Sequence, residues 1–205
     1  MNRADFSDER QKAEQKLADE VTADFERRRE ERKRLERAWE LNMNFVCGNQ
    51  YRGINSVGEI EEEEKYYGWQ PRRVFNRIAP TVELRCAKLA RIRPALSVRA
   101  ASESDADKAA AALSAEILAS ASESAGLESA LARATTWSET CGTAFYKIVW
   151  DNFGGGAIGA DENGLTVYEG DVKVIAVPPF EIYPYSLAEE SMEAQPSVIH
   201  ARAVP

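Results

Sequence analysis

Residue types that do chemistry are few in this chain and poorly spaced for it. His200 is the sole histidine. A general base there is conceivable, but no nucleophile accompanies it in a usable arrangement, so it reads as a packed or exposed residue. Cys47, Cys86 and Cys141 are odd in number and show no CxxC spacing. They read as free thiols, filling space as small hydrophobes rather than binding metal or attacking a substrate. Gly154, Gly155, Gly156 and Gly159 lack the lysine and Ser/Thr of a phosphate loop, and no helix is expected after them, so neither a phosphate loop nor a dinucleotide fingerprint is present. HExxH, GxSxG and zinc-type spacings are absent. Glu61 to Glu64 could attract a cation, but nothing imposes ligand geometry on them, and a solvated run is the simpler reading. The expectation is a non-enzyme without cofactor or metal.

Charge is more informative. The net charge is −8 over 205 residues, yet residues 72–99 carry 8 basic and 1 acidic side chain, while residues 100–205 carry 5 and 16. A basic segment in an acidic chain can meet nucleic acid, or acidic groups of its own or a neighbouring copy; the second reading is preferred. At 100° per residue, Ile78, Val82, Cys86, Leu89 and Ile92 share one side of a helix from Asn76 to Arg93. Arg77, Arg85, Lys88 and Arg91 share the other, a candidate inter-subunit or DNA-facing basic face. A second charged run, Glu26 to Arg34, contains no apolar residue and interleaves glutamates with arginines. It reads as the solvated middle of a long helix.

The elements that would position these residues follow from periodicity and punctuation. No proline or glycine interrupts Ser7 to Val46, which predicts one long helix or two joined helices, with residues 1–7 fraying. Ala13, Leu17, Val21 and Phe25 anchor its first part; Leu35, Ala38, Trp39, Asn42 and Phe45 anchor its last. Gly48 caps it, and residues 54–74 form a connection in which Tyr66, Tyr67 and Trp69 make an aromatic anchor for core or subunit contact. Pro80 falls in the first turn of the next helix and Pro94 ends it, before a short extended segment at 95–100. Ser104 caps a helix with an alanine-rich face of Ala106, Ala110, Leu113, Ile117 and Ala121. After a break at Ser124 and Gly126 comes a helix with Leu127, Ala130, Leu131, Ala134, Trp137 and Cys141 on one side, closing an αα-hairpin at Gly142. A strand over 143–150 follows, then a flexible loop over 151–164. A hairpin of 165–168 with 172–177 comes next, then two prolines and a last strand from Ser197 to Val204 that meets the chain end. That position suggests a chain cut from a longer one.

The fold class is therefore α+β: a long N-terminal helix, an amphipathic helix and an αα-hairpin packed against a small, mainly antiparallel sheet. Three regions are expected, with the long charged helix over 1–46, a connecting segment over 47–75 and a helical and β-sheet domain over 76–205. The apolar share of 44% argues against bulk disorder. No apolar run is long enough to span a membrane, and the polar N-terminus argues against a secretory leader.

The order of parts resembles the N-terminal, wing-like region of tailed-bacteriophage portal proteins, the head-to-tail connectors, particularly those of short-tailed phages. The resemblance runs over about residues 35–204. It rests on Trp39 and Phe45 before Gly48-Asn-Gln50, on Val74-Phe-Asn-Arg-Ile78 opening a helix that ends in Arg91-Ile-Arg-Pro94, and on Leu96-Ser-Val98. It continues through the helix start at Asp105 to Ala112, the passage Gly142 to Asp151, and Val177-Pro-Pro-Phe-Glu-Ile-Tyr-Pro184. It implies a structural subunit of a ring, dodecameric in that family, at one capsid vertex. DNA is packaged and ejected through that ring, and the tail attaches to it. Partners would be copies of the chain, the terminase motor, and tail and capsid proteins; the location would be the virion, and the host cytoplasm during assembly. The channel-lining helices and motor-gripping clip that follow in family members are not in this sequence, so direct DNA contact is a weaker implication. A nucleic-acid-binding module using residues 72–99 and a non-viral protein–protein adaptor are the alternatives.

Overall fold

The computed structural model describes residues 3–64, 67–92, 97–189 and 191–203, with side chains from residue 10 onward. The fold is α+β, with a long N-terminal helix and small antiparallel sheets. The backbone divides into two compact units. One contains the long helix up to Asn44, then Asn49–Arg72 and the chain from Phe180 onward; the other contains Phe45–Gly48 and Arg73–Pro179. The sequence reading keeps 180–205 with 76–179, whereas backbone contacts group it with the long helix.

In the first unit, α1 runs Arg3–Val46 as one element. It starts four residues earlier than the sequence suggests, because nothing in Arg3 to Phe6 opposes extension of a helix already nucleated. It ends in a Schellman turn. Gly48, at φ +93°, donates its N–H to Phe45 O at 3.1 Å, and Asn49 donates to Asn44 O at 2.8 Å. The segment read as a plain connection holds a hairpin of β1 (Arg52–Ile54) and β2 (Ile60–Glu62). Its turn is fixed by Asn55 Oδ1, which accepts from Val57 N at 3.1 Å and Glu59 N at 2.8 Å. Strands this short leave no alternation to detect. Tyr66 lies outside the described residues. Tyr67 and Trp69 stack on each other at 5.6 Å but are exposed, so no aromatic core forms there. After a 3₁₀ turn at Pro179–Glu181, β7 (Ile182–Pro184) pairs with β8 (Val198–His200). β8 is shorter than the predicted strand, whose residue Val204 lies outside the described residues.

In the second unit, α2 (Ile78–Arg91) is capped by Asn76, whose Oδ1 accepts from Ile78 N at 3.0 Å and Ala79 N at 3.1 Å. Its Nδ2 donates to Val46 O at 2.8 Å. Arg93, Pro94 and the first two residues of the predicted extended segment lie outside the described residues, and residues 97–100 form no regular element. α3 (Asp105–Ser124) is capped by Ser104, which accepts from Asp107 N at 3.2 Å, and α4 (Leu127–Cys141) closes at Gly142 with φ +79°. Every apolar position predicted for α4 is buried or half-buried, with Ala130 and Ala134 sealed completely. α3 differs. Ala111, Ala115, Leu118 and Ser122 turn inward, while Leu113 and Ile117 face solvent. Alanines on nearly every side of α3 left its packing face ambiguous.

The sheet also corrects the sequence reading. β3 (Phe145–Asp151) pairs antiparallel with β6 (Asp171–Val177) over seven positions, from Phe145 opposite Val177 to Asp151 opposite Asp171. The predicted hairpin of 165–168 with 172–177 does not form. Instead β5 (Thr166–Tyr168) pairs with β4 (Ala157–Ala160), which lies inside the predicted flexible loop. Two strands of equal length bury Ala176 and Val177, which a three-residue partner could not do. The crossing from β5 to β6 runs through Gly170 at φ +78°, where a Cβ would meet the Trp150 ring at 2.5 Å.

Candidate functional site

The most constrained polar cluster lies where the sequence suggested solvent. Asp24, Arg28, Arg32 and Glu36 recur every four residues, so they stand one above another on one face of α1. Arg28 and Arg32 are buried, at 3% and 1% exposure. Each is neutralised within the ladder, Arg28 by Asp24 and Arg32 by Glu36. Their terminal nitrogens grip the C-terminal segment, while Arg28 Nε is buried without a hydrogen-bond partner. Arg28 Nη1 donates to Tyr183 O at 3.0 Å and Ser197 O at 3.1 Å, and its Nη2 to Ser197 Oγ at 2.6 Å. Arg32 Nη2 donates to Phe180 O at 2.8 Å and its Nη1 to Ile182 O.

Aromatic rings close over this clamp. The Arg32 guanidinium lies 3.6 Å from the Tyr183 ring centroid. Tyr183 meets Phe25 edge-on at 4.8 Å, and Trp39 meets Phe180 at 5.3 Å. Hydrogen bonds from Arg28, then from Arg27, hold the Asp24 carboxyl below its usual range. The predicted solvated middle of the helix is thus its anchor. The stripe expected to anchor its first part leaves Leu17 and Val21 exposed. A guanidinium donates in a plane from several nitrogens, so two arginines can satisfy successive β7 carbonyls and cross to Ser197. The signal was present in the four-residue spacing between Phe25 and Trp39, but arginine at core positions reads as surface.

In the second unit the predicted basic face is divided. Arg85 bonds to Glu139 of α4 through both Nε and Nη2, the latter at 3.1 Å. The pair raises the Arg85 pKa and holds the Glu139 carboxyl below its usual range. Arg77 stands at the N-terminal boundary of α2, and Lys88 and Arg91 lie in its last turn; all three are exposed. The structure therefore sets Arg85 against α4 and leaves Lys88 and Arg91 facing solvent.

His200 belongs to the first unit and the three cysteines to the second. His200 Nε2 lies 3.1 Å from Glu181 Oε2. Cys47 is exposed, Cys86 half-buried and Cys141 buried, with burial pushing the Cys141 thiol up. Among the described residues no three His, Cys, Asp or Glu side chains converge as a metal site would require. No helix is long and apolar enough to cross a membrane among the described residues.

Unsatisfied apolar surface is more prominent than any cleft. Tyr146, Ile148 and Trp150 of β3 share a face with Ala176, Val174 and Val172 of β6, so that face of the ribbon is entirely apolar. Ile148 is 70% and Trp150 60% exposed. Compared with known proteins, the chain matches no family model, no curated protein and no solved structure.

Proposed function

We propose that this chain is a structural subunit that assembles with copies of itself into a portal-type ring, through which DNA is packaged and ejected and to which a tail attaches. Its role is to present surfaces, with chemistry done by other components. The observation that carries this reading is the apolar face of the β3–β6 ribbon. Tyr146, Ile148 and Trp150 leave an exposed apolar patch with two aromatics on β3, a typical mark of a contact surface. Exposed Leu17 and Val21 on α1 add a second such surface. The order of local features shared with portal proteins supplies the type of assembly, and the opposed charges of residues 72–99 and 100–205 suit contacts between unlike faces.

Electron microscopy of the purified chain tests the reading. Closed rings of uniform diameter are expected. Fields containing only particles of single-chain size, at concentrations where assembly subunits associate, contradict it.

A further inference from the structure

A groove of about 490 Å³ opens beside α3 in the second unit, lined by Leu113, Glu116 and Ile117 of α3 and by Glu169, Gly170 and Asp171 at the entry to β6, among others. Leu113 and Ile117, one helical turn apart, are 60% and 59% exposed. Three carboxylates stand among these apolar side chains, and no basic residue lines the groove among the described residues. Its complement is a helical turn alternating cations with aliphatic side chains.

The last turn of α2 has that character. Lys88 and Arg91 are three residues apart, as are Leu89 and Ile92, and all four are exposed. Neither Lys88 nor Arg91 has an ion pair among the described residues. No α2 residue lines the groove, since α2 packs on α4 and is tied there through Arg85 and Glu139. We propose that the groove beside α3 receives the last turn of α2 from a second copy of the chain. Lys88 and Arg91 then meet Glu116 and Glu169, while Ile92, which borders Lys88 at the edge of the apolar side, covers Leu113 and Ile117. The two patches differ, so the contact is head-to-tail and each copy can both give and receive. This rests on the assembly reading above and names the surfaces that would carry it.

The test uses two charge reversals, K88E/R91E and E116K/E169K, read by sedimentation of the full chain. Each alone should weaken self-association by at least about tenfold. An equimolar mixture should regain the association each variant lost, because the intact turn of one fits the intact groove of the other and the two reversed faces also carry opposite charges. Wild-type association should also weaken as salt rises from about 50 to about 500 mM. Circular dichroism confirms folding, and the neutral pair K88Q/R91Q should show an intermediate loss if reversal disturbs α2. Association that survives both reversals unchanged overturns the groove assignment and leaves the assembly reading standing. Two folded variants that fail to regain association when mixed overturn the head-to-tail pairing. A wild type that never associates overturns both.

Discussion

In the unit built on α1, two of the side chains withdrawn from solvent are arginines; in the unit containing α4 they are alanines, a cysteine, a valine and a proline. The first unit fastens distant chain segments by directing guanidinium donors at backbone carbonyls, 148 to 169 residues away in sequence. The second brings α2 and α4 into contact, with an ion pair between Arg85 and Glu139. Both units contain arginine–carboxylate pairs, but burial separates their meaning. A buried guanidinium must be fully bonded or it is costly, whereas an exposed pair contributes little once solvent screens it.

The comparison breaks most visibly at Arg32. Arg32→Ala should destabilise the first unit by about 3–5 kcal/mol, because the Phe180 and Ile182 carbonyls and the Glu36 carboxylate lose their partner together. Hydrogen exchange should show residues 180–200 losing protection while β3 and β6 keep theirs. Ala130→Leu asks the corresponding question of the second unit. Its site is fully buried against neighbours, so overpacking should cost about 1–3 kcal/mol, read from denaturant midpoints.

Smaller effects sharpen the contrast. Arg85→Ala removes an arginine bonded as closely as Arg32 but exposed, and should move the thermal midpoint far less than Arg32→Ala does. The smallest effect is the pH dependence. Asp24 titrates below its usual range in the folded chain, so its contribution is complete above about pH 4 and fades as pH falls through the lower folded value. Acid titration of stability should show this loss, and Asp24→Asn should flatten it.

What the sequence disclosed depended on how each element earns its place. α4 was legible because apolar residues fall on one face and glycines flank it. The caps at Ser104, Gly48 and Gly142 were legible because their conformations demand few residue types. The clamp was hidden because arginine was read as surface, although Arg28, Arg32 and Glu36 fill the stripe between Phe25 and Trp39. Pairing of β3 with β6 was hidden for another reason: sequence proximity favours the β5–β6 hairpin, and only matched length and burial select the longer connection. The basic residues do not share one face: at 100° per residue Arg85 falls among the apolar positions, between Ile92 and Ile78, which is why it meets Glu139 of α4 while Arg77, Lys88 and Arg91 stay on the other side.

Sedimentation velocity of the wild-type chain over a wide concentration range addresses the assembly claim most directly. The account predicts a concentration-dependent species several times the 22.8 kDa chain mass. A single 22.8 kDa species at every concentration would contradict it.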